Sequence, residues 1–362
     1  MEKTRKKIYY EWMRILACGL VIYNHLNAYT LYMNSSGIKQ GFYMFLTMLT
    51  RINVPLFFMI SGALLLSKKE DFNTVISKRI SRFVLIILIF ELGIYIEHYI
   101  HALVRGETYL FTIKRFIYGV LSQGLDGIVA YWYLYAYLGF LFMLPFMQRI
   151  AKDMKKQDFY MLILLHFVFS SFIPILNIIL QITGNDAINI TGNFSVPLAT
   201  IKAFFYPLLG YYLEYYVDVK TLSKKKISVL FIASGIGILL SCLCTLYEGK
   251  TTGTYTQNYV QLFDYLTTIV AFITIKYIVT VAVPQLSQGK LSKIICLIGS
   301  FTFGIYLLDP YLKLIFYKKY ETFTEPYLPT IIVSIGWCMI SMIIGGILTF
   351  ILKQLPLFKK IL

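Results

Sequence analysis

The sequence is dominated by long apolar runs that are separated by short polar and basic segments. A helix needs roughly 20 mostly apolar residues to cross the hydrocarbon core of a bilayer. Ten runs approach or exceed that length, and we predict that they are transmembrane helices, because backbone polar groups inside a bilayer must be hydrogen-bonded within their own segment. The predicted spans cover residues 11–32, 43–66, 83–101, 130–148, 158–180, 198–217, 227–247, 259–282, 294–316 and 328–352.

The apolar runs are continuous, whereas the strands of a membrane β-barrel would show about ten residues of alternating character. Loops between the runs are short, and the sequence shows no internal repeat and no long linker. The predicted fold class is therefore an all-α integral membrane protein with about ten transmembrane helices. We expect residues 1–362 to form a single transmembrane domain with no appended soluble domain.

Composition supports this interpretation. Of 362 residues, 58% are hydrophobic and 14% are charged, whereas about a quarter of the residues of a soluble domain are charged. This excludes a water-soluble globular enzyme, a disordered chain and a secreted disulfide scaffold. The net charge of +16 resides in short runs between apolar segments rather than in one basic surface, so no nucleic-acid partner is expected.

The basic residues instead predict membrane orientation. The N-terminus, alternate loops and the C-terminus hold 22 Lys and Arg residues, and the opposite loops hold 7. Cytoplasmic loops carry the excess of Lys and Arg, so both termini are predicted to be cytoplasmic, and an even number of spans likewise puts them on the same side. Only three apolar residues separate Arg14 from Cys18, too few for a signal peptide. We predict a multi-pass protein of the plasma membrane that retains its first helix.

The first span carries the densest set of ionisable residues, Glu11, Arg14 and His25. Arg14 and His25 are eleven positions apart, so at 100° per residue both project from one helix face, about 16 Å apart along the axis. Arg14 would then lie near the cytoplasmic headgroups, and His25 past the middle of a core about 30 Å thick.

Arg14 and His25 each have a structural interpretation, and His25 also has a functional one. Arg14 could extend its charged end to the membrane interface. His25 could make a hydrogen bond between helices, or act as a neutral general base or proton relay. Because ionisable groups inside a span are costly, they are functional candidates by default.

Other polar groups are weaker candidates. Glu97, His98 and His101 lie along the third span without an obvious fourth ligand, so no metal is expected. Asp309 and Lys313 are four residues apart and could neutralise each other. In the loop predicted at 67–82, Arg79 and Arg82 are one helical turn apart and could bind a phosphate together, although positive-inside charge and lipid headgroup contact explain the same residues.

Together these segments resemble the acyltransferase-3 family of membrane acyltransferases. That family opens with an acidic residue three before an arginine, followed by Arg-x10-His. Here the acidic residue is Glu11 rather than the usual aspartate, and Arg14 and His25 follow it. Four later segments match in family order, namely Arg51 with Val54-Pro55 through Ser61-Gly62, Lys78-Arg79-Ile80-Ser81-Arg82, Tyr131-Trp132-Tyr133-Leu134 with Pro145, and Ser300 through Pro310.

The resemblance implies O-acyl transfer, commonly of acetyl from acetyl-CoA to a sugar hydroxyl of a surface or exported polysaccharide, or a lipid-linked glycan. Lys78, Arg79 and Arg82 would hold the CoA phosphates on the cytoplasmic side. Arg14, oriented by Glu11, would lie near the pantetheine or thioester, or neutralise CoA charge. His25 would deprotonate the acceptor hydroxyl or relay the acyl group. Asp309 stands where many members have histidine.

Two other functions remain open at this stage. A transporter or glycan flippase also uses many spans and buried charges, but its two related halves are not visible in the sequence. A membrane sensor or scaffold without chemistry would not explain the buried ionisable residues of the first span. The excess of lysine (26) over arginine (8) suggests an AT-rich, bacterial genome.

Overall fold

A computed structural model describes residues 7–27, 30–125, 128–190, 194–255 and 259–362. Within these ranges the chain is helical and contains no β-strand, as the predicted fold class requires.

The α-helices of the described ranges are numbered in chain order. They are α1 (Ile8–Asn27), α2 (Thr30–Met33), α3 (Gly37–Thr50), α4 (Asn53–Leu65), α5 (Phe72–Val75), α6 (Ser81–Arg105), α7 (Ile113–Ser122), α8 (Trp132–Asp153), α9 (Lys156–Phe167), α10 (Ile173–Ile182), α11 (Pro197–Thr200), α12 (Lys202–Tyr215), α13 (Lys224–Thr252), α14 (Asp264–Tyr277), α15 (Gly289–Leu312), α16 (Lys318–Thr324), α17 (Thr330–Leu352) and α18 (Pro356–Ile361).

Short π-helical stretches continue several of these helices without a break. They cover Ile76–Ile80, Val168–Phe172, Ile278–Ala282 and Lys313–Tyr317. Helix boundaries follow local signals: Ser223 accepts a hydrogen bond from the Lys226 amide at the start of α13, and Gly106 ends α6 with φ of +70°, a conformation that glycine adopts without steric cost.

Eight helical segments are long and apolar enough to cross a membrane in the part of the chain that the structure describes. They correspond to the second to fifth and the seventh to tenth predicted spans. The first and sixth predicted spans form α1, which has 20 residues and carries Glu11 and Arg14, and α12, which has 14 residues. Those two helices do not meet the criteria of length and hydropathy, so the predicted count of ten stays a prediction.

The chain divides into two compact units. Unit 1 comprises residues 1–69 and 146–299, and unit 2 comprises residues 70–145 and 300–362, with boundaries inside α8 and α15. In unit 1, α1 packs against α3, α4 and α14, so the helix with the candidate residues has neighbours on several sides. In unit 2, α6 packs against α7 and α18.

Helices α4 and α12 cross closely in unit 1. A Cβ on Gly62 would overlap the backbone of Pro207, and one on Gly210 would overlap the backbone of Met59. Small residues let helix backbones approach this closely, and packing of this kind replaces the hydrophobic effect as the force between helices in lipid. Gly62 ends the second segment of the family resemblance, so that motif has a structural reason.

The segment predicted as a loop at 67–82 is largely helical, and this part of the prediction is wrong. Asp71 caps α5 by accepting a hydrogen bond from the Thr74 amide, and the helix continues through Ile76–Ile80 into α6. Hydrogen bonds from Thr74 lower the pKa of Asp71, which keeps the cap charged. The charged residues that suggested a loop therefore decorate the first turns of a long helix.

Candidate functional site

Glu11, Arg14 and His25 all lie on α1, as predicted. Cys18 and Val21, between Arg14 and His25 on the same face, are buried. The helix is regular throughout Ile8–Asn27, so Arg14 and His25 are separated by about 16 Å along its axis. One side chain can therefore contact a ligand near the start of α1 and the other near its end, but both cannot contact the same atom.

Glu11 and Arg14 form an ion pair within one turn of α1. Arg14 Nη1 donates to Glu11 Oε1 at 2.9 Å. The Glu11 side chain is 2% exposed and that of Arg14 is 29% exposed. A guanidinium has five N–H donors and the pair uses one of them, so the half-buried Arg14 keeps donors for a ligand while Glu11 fixes its position.

Gly299 of α15 makes room for this pair. A Cβ at Gly299 would overlap the Glu11 side chain, including its Oε2 atom. Any larger residue there would push Glu11 aside. No sequence pattern indicates this contact, because it joins residues that are 288 positions apart.

A second contact fixes the far end of α1. Asn24 Nδ2 donates to the Thr50 carbonyl oxygen at 3.2 Å, and Thr50 Oγ1 donates to Asn24 Oδ1 at 3.0 Å. Asn24 and Thr50 are both buried. His25, which is half-buried, directly follows Asn24, and Arg51 directly follows Thr50 and ends α3. The backbone positions of His25 and of the Arg51 motif are thus set by the same pair of hydrogen bonds.

The start of α1 joins a charge cluster that the sequence did not reveal. Glu214, at the end of α12, accepts from Lys7 Nζ at 2.5 Å and from Tyr9 OH at 2.7 Å. Lys276, at the end of α14, lies 3.1 Å from the other carboxylate oxygen. The cluster ties the ends of three helices together in unit 1.

A second buried cluster in unit 1 centres on Asp264. Tyr206 OH donates to its Oδ1 and Lys202 Nζ to its Oδ2, each at 2.7 Å. His166 lies nearby, with Nδ1 2.6 Å from the Ala199 carbonyl oxygen and its ring 3.7 Å from that of Phe205. Asp264 therefore pairs with a cation of another helix.

Lys78, Arg79 and Arg82 lie in unit 2, in the first turns of the long helix that includes α6. Arg79 binds Glu70 through two parallel hydrogen bonds of 2.7 Å each. Arg82 Nε donates to the Ile361 carbonyl oxygen at 3.0 Å. Arg79 and Arg82 thus bind different partners here. A phosphate would have to displace the Glu70 carboxylate before it could accept both of these hydrogen bonds from Arg79.

Two late segments of the family resemblance meet in unit 2. Tyr131 OH donates to the Leu307 carbonyl oxygen at 2.6 Å, and Tyr306 OH donates to the Ala130 carbonyl oxygen at 2.7 Å. These reciprocal bonds explain why both segments carry a tyrosine.

Asp309 is also a partner within unit 2. Ser341 Oγ donates to Asp309 Oδ1 at 2.9 Å, and Lys313, one turn later, attracts the carboxylate electrostatically.

In the third span, Glu97 Oε1 lies 2.6 Å from His101 Nε2. No group of three His, Cys, Asp or Glu side chains with the arrangement of a metal site occurs among the residues that the structure describes.

Comparison with known proteins adds one match. The acyltransferase-3 family model, described as an acyltransferase domain, matches residues 7–351. No curated protein and no solved structure matches the chain.

Proposed function

We propose that this chain, which belongs to the acyltransferase-3 family, transfers acetyl from acetyl-CoA to a sugar hydroxyl of a cell-surface or exported polysaccharide. The family match and the eight candidate spans make it a multi-pass membrane acyltransferase. The observation that carries the proposal further is the arrangement on α1, where a buried carboxylate holds an arginine three turns from a histidine.

The proposed topology has ten spans, with α1 and α12 as the first and sixth and both termini in the cytoplasm of the producing bacterium. The distribution of 22 Lys and Arg residues against 7 supports this orientation. With it, Arg14 lies toward the cytoplasm, where CoA is found, and His25 lies toward the outer surface of the plasma membrane, where a glycan acceptor arrives.

The separation of Arg14 and His25 assigns them different tasks. A general base must come within about 2.6–3.2 Å of the atom whose proton it removes, so His25 as the base lies beside the acceptor hydroxyl at the reaction centre. Arg14, about 16 Å away along α1, then contacts the donor arm rather than the same reaction centre. Glu11 orients Arg14 through the 2.9 Å hydrogen bond.

The reaction moves one acyl group and one proton. In the direct form, the acceptor hydroxyl oxygen bonds to the thioester carbonyl carbon, the carbon–sulfur bond breaks, and His25 carries the hydroxyl proton to the departing thiolate. In the relay form, a His25 ring nitrogen bonds to the acyl carbon and the carbon–sulfur bond breaks to release the thiolate. The acceptor hydroxyl oxygen then bonds to the acyl carbon, the bond to the ring nitrogen breaks, and the hydroxyl proton converts the thiolate to the thiol. Both forms end with the ester and CoA thiol.

The CoA phosphates are proposed to bind basic residues on the cytoplasmic side, with Lys78, Arg79 and Arg82 as the candidates from the family motif. Lys78 is exposed, and Arg79 would exchange Glu70 for a phosphate. This assignment stays a prediction that replacement of Arg79 by alanine can test.

The proposed function is tested by acetyl transfer in membranes. Membranes with the wild-type protein should move radiolabelled acetyl from acetyl-CoA onto extracted surface glycan, and His25→Ala should lose about 10²–10⁴-fold of that rate. His101→Ala is the control. It also removes a histidine from a predicted span, and His101 is exposed and forms an ion pair only with Glu97 in the described part of the chain. Unchanged glycan acetylation by His25→Ala would overturn the role of His25, and glycan translocation without acetylation would favour a flippase.

A further inference from the structure

A cleft of about 820 Å³ opens at one end of unit 1. It is lined by the start of α1, the π-helical end that follows α14, and the start of α15, and its cations are Lys7, Lys290 and Lys293. We call it the lysine cleft. Its size falls within the range of about 300–1,000 Å³ that is typical of small-molecule sites.

The lysine cleft carries excess positive charge. Lys7 shares the Glu214 carboxylate with Lys276, so two cations face one anion at that wall. The side chains of Lys290 and Lys293 are exposed and make no ion pair or hydrogen bond within the described part of the chain. The cleft is therefore suited to a ligand with more than one negative charge.

The positions of Lys290 and Lys293 are unfavourable without such a ligand. Lys290 lies in the first turn of α15, where the helix dipole disfavours cations, and Lys293 begins the second turn. The positive-inside rule explains lysines on this side of the membrane, but it does not explain why they are placed on a helix start that faces a cleft. A bound anion would be stabilised by both lysines and by the helix dipole.

The lysine cleft leads toward the Glu11–Arg14 pair. Arg14 of α1 lies seven positions after Lys7, which directly precedes this helix, and Gly299 lies seven positions after Ser292 on α15. Seven positions of helix correspond to about 10 Å in each case. Gly299 in turn lies against Glu11. A long ligand with its anionic end in the cleft would extend along α1 past Arg14.

We propose that the lysine cleft, in place of Lys78, Arg79 and Arg82, binds the phosphate groups of the acyl donor CoA, an inference that rests on the proposed acetyl transfer from acetyl-CoA. Lysine binds phosphate as a point charge, and these two lysines, unlike Arg79, have no carboxylate to displace. Anionic phospholipid headgroups present the same phosphate chemistry at the cytoplasmic surface, so the experiment has to separate the two sources.

The first arm measures CoA binding to the purified full-length protein in nanodiscs of zwitterionic lipid. The double variant Lys290→Gln/Lys293→Gln should weaken CoA binding about tenfold or more, since two charge-assisted contacts are lost. The matched control is Lys224→Gln/Lys225→Gln, which removes two exposed lysines from the start of α13 in the same unit. Equal CoA affinity in the wild type and the Lys290/Lys293 variant would overturn the inference.

The second arm repeats the measurement in nanodiscs that contain anionic phospholipid, with native mass spectrometry of retained lipid. The inference is supported if CoA binding displaces no lipid and still depends on Lys290 and Lys293. Anionic lipid retained only by the wild type, with CoA binding the same in both proteins, assigns the cleft to headgroups and overturns it.

The inference and the proposed function fail in distinguishable ways. If the wild type neither binds CoA nor transfers acetyl, the proposed function fails and the inference falls with it. If the wild type binds CoA and transfers acetyl, while the Lys290/Lys293 variant behaves in the same way, only the assignment of the lysine cleft fails.

Discussion

Replacing Gly299 by alanine should impair donor use by displacing the Glu11–Arg14 pair. The added Cβ would overlap the Glu11 carboxylate and also its Cβ and Cδ atoms. Rotation of the carboxylate alone does not relieve an overlap with the Cβ atom, so the whole Glu11 side chain has to shift. The 2.9 Å hydrogen bond from Arg14 Nη1 to Glu11 Oε1 would then break or lengthen.

The magnitude follows from that hydrogen bond. Hydrogen bonds that involve charged groups contribute about 1.5–3 kcal/mol, and about 1.4 kcal/mol corresponds to a factor of ten. If Arg14 holds the donor only when Glu11 orients it, the loss is about 10- to 100-fold in kcat/KM for acetyl-CoA. The acceptor KM should not change, because His25 lies about 16 Å further along α1.

The assay is acetyl transfer at varied acetyl-CoA, with Gly235→Ala as the matched control. Gly235 also lies within a helix of unit 1, but a Cβ there has no neighbouring atom within 4 Å. Thermal unfolding of each purified protein confirms that it is folded. If Gly299→Ala keeps the kcat/KM of Gly235→Ala although both are folded, the argument that Glu11 positions Arg14 is refuted.

Two further substitutions test the packing around the site. Gly62→Ala should destabilise the protein by about 1–3 kcal/mol, because its Cβ meets the Pro207 backbone; a melting temperature in detergent no lower than that of Gly235→Ala would contradict this. Asn24→Ala should cost about 1–3 kcal/mol, since the buried Thr50 carbonyl loses its side-chain donor, and it should slow transfer with little effect on CoA binding; weakened CoA binding with normal stability would contradict that separation.

The sequence was sufficient to predict the family and eight of the spans. Helix periodicity and the apolar runs placed Glu11, Arg14 and His25 on one helix, which the structure confirms, and the family match confirms the resemblance. These features are local or nearly so, because 3.6 residues per turn fixes which side chains share a face.

The sequence was not sufficient to predict partners between helices. Glu214 with Lys7, Asp264 with Lys202, and Gly299 with Glu11 join positions far apart in the chain. Helix periodicity says which face of a helix is polar but not which other helix covers it.

Residues 67–82 were predicted to form a loop but are largely helical, and the reason is local. The charges at Lys68 to Asp71 and at Lys78 to Arg82 indicated a solvent-exposed loop, yet a helix start that projects from the membrane has the same composition. The cap at Asp71 was the relevant signal, since aspartate is a favoured residue at that position.

The two ends of α1 are held by different contacts, and this makes the proposed donor and acceptor sides separable. The Glu11–Arg14 pair depends on Gly299 of α15, whereas the backbone before His25 is held by the exchange of hydrogen bonds between Asn24 and Thr50. Distant sites without shared partners act almost additively. Gly299→Ala combined with Asn24→Ala should therefore multiply their separate effects on transfer, and a double variant no slower than the slower single variant would show that α1 acts as one unit.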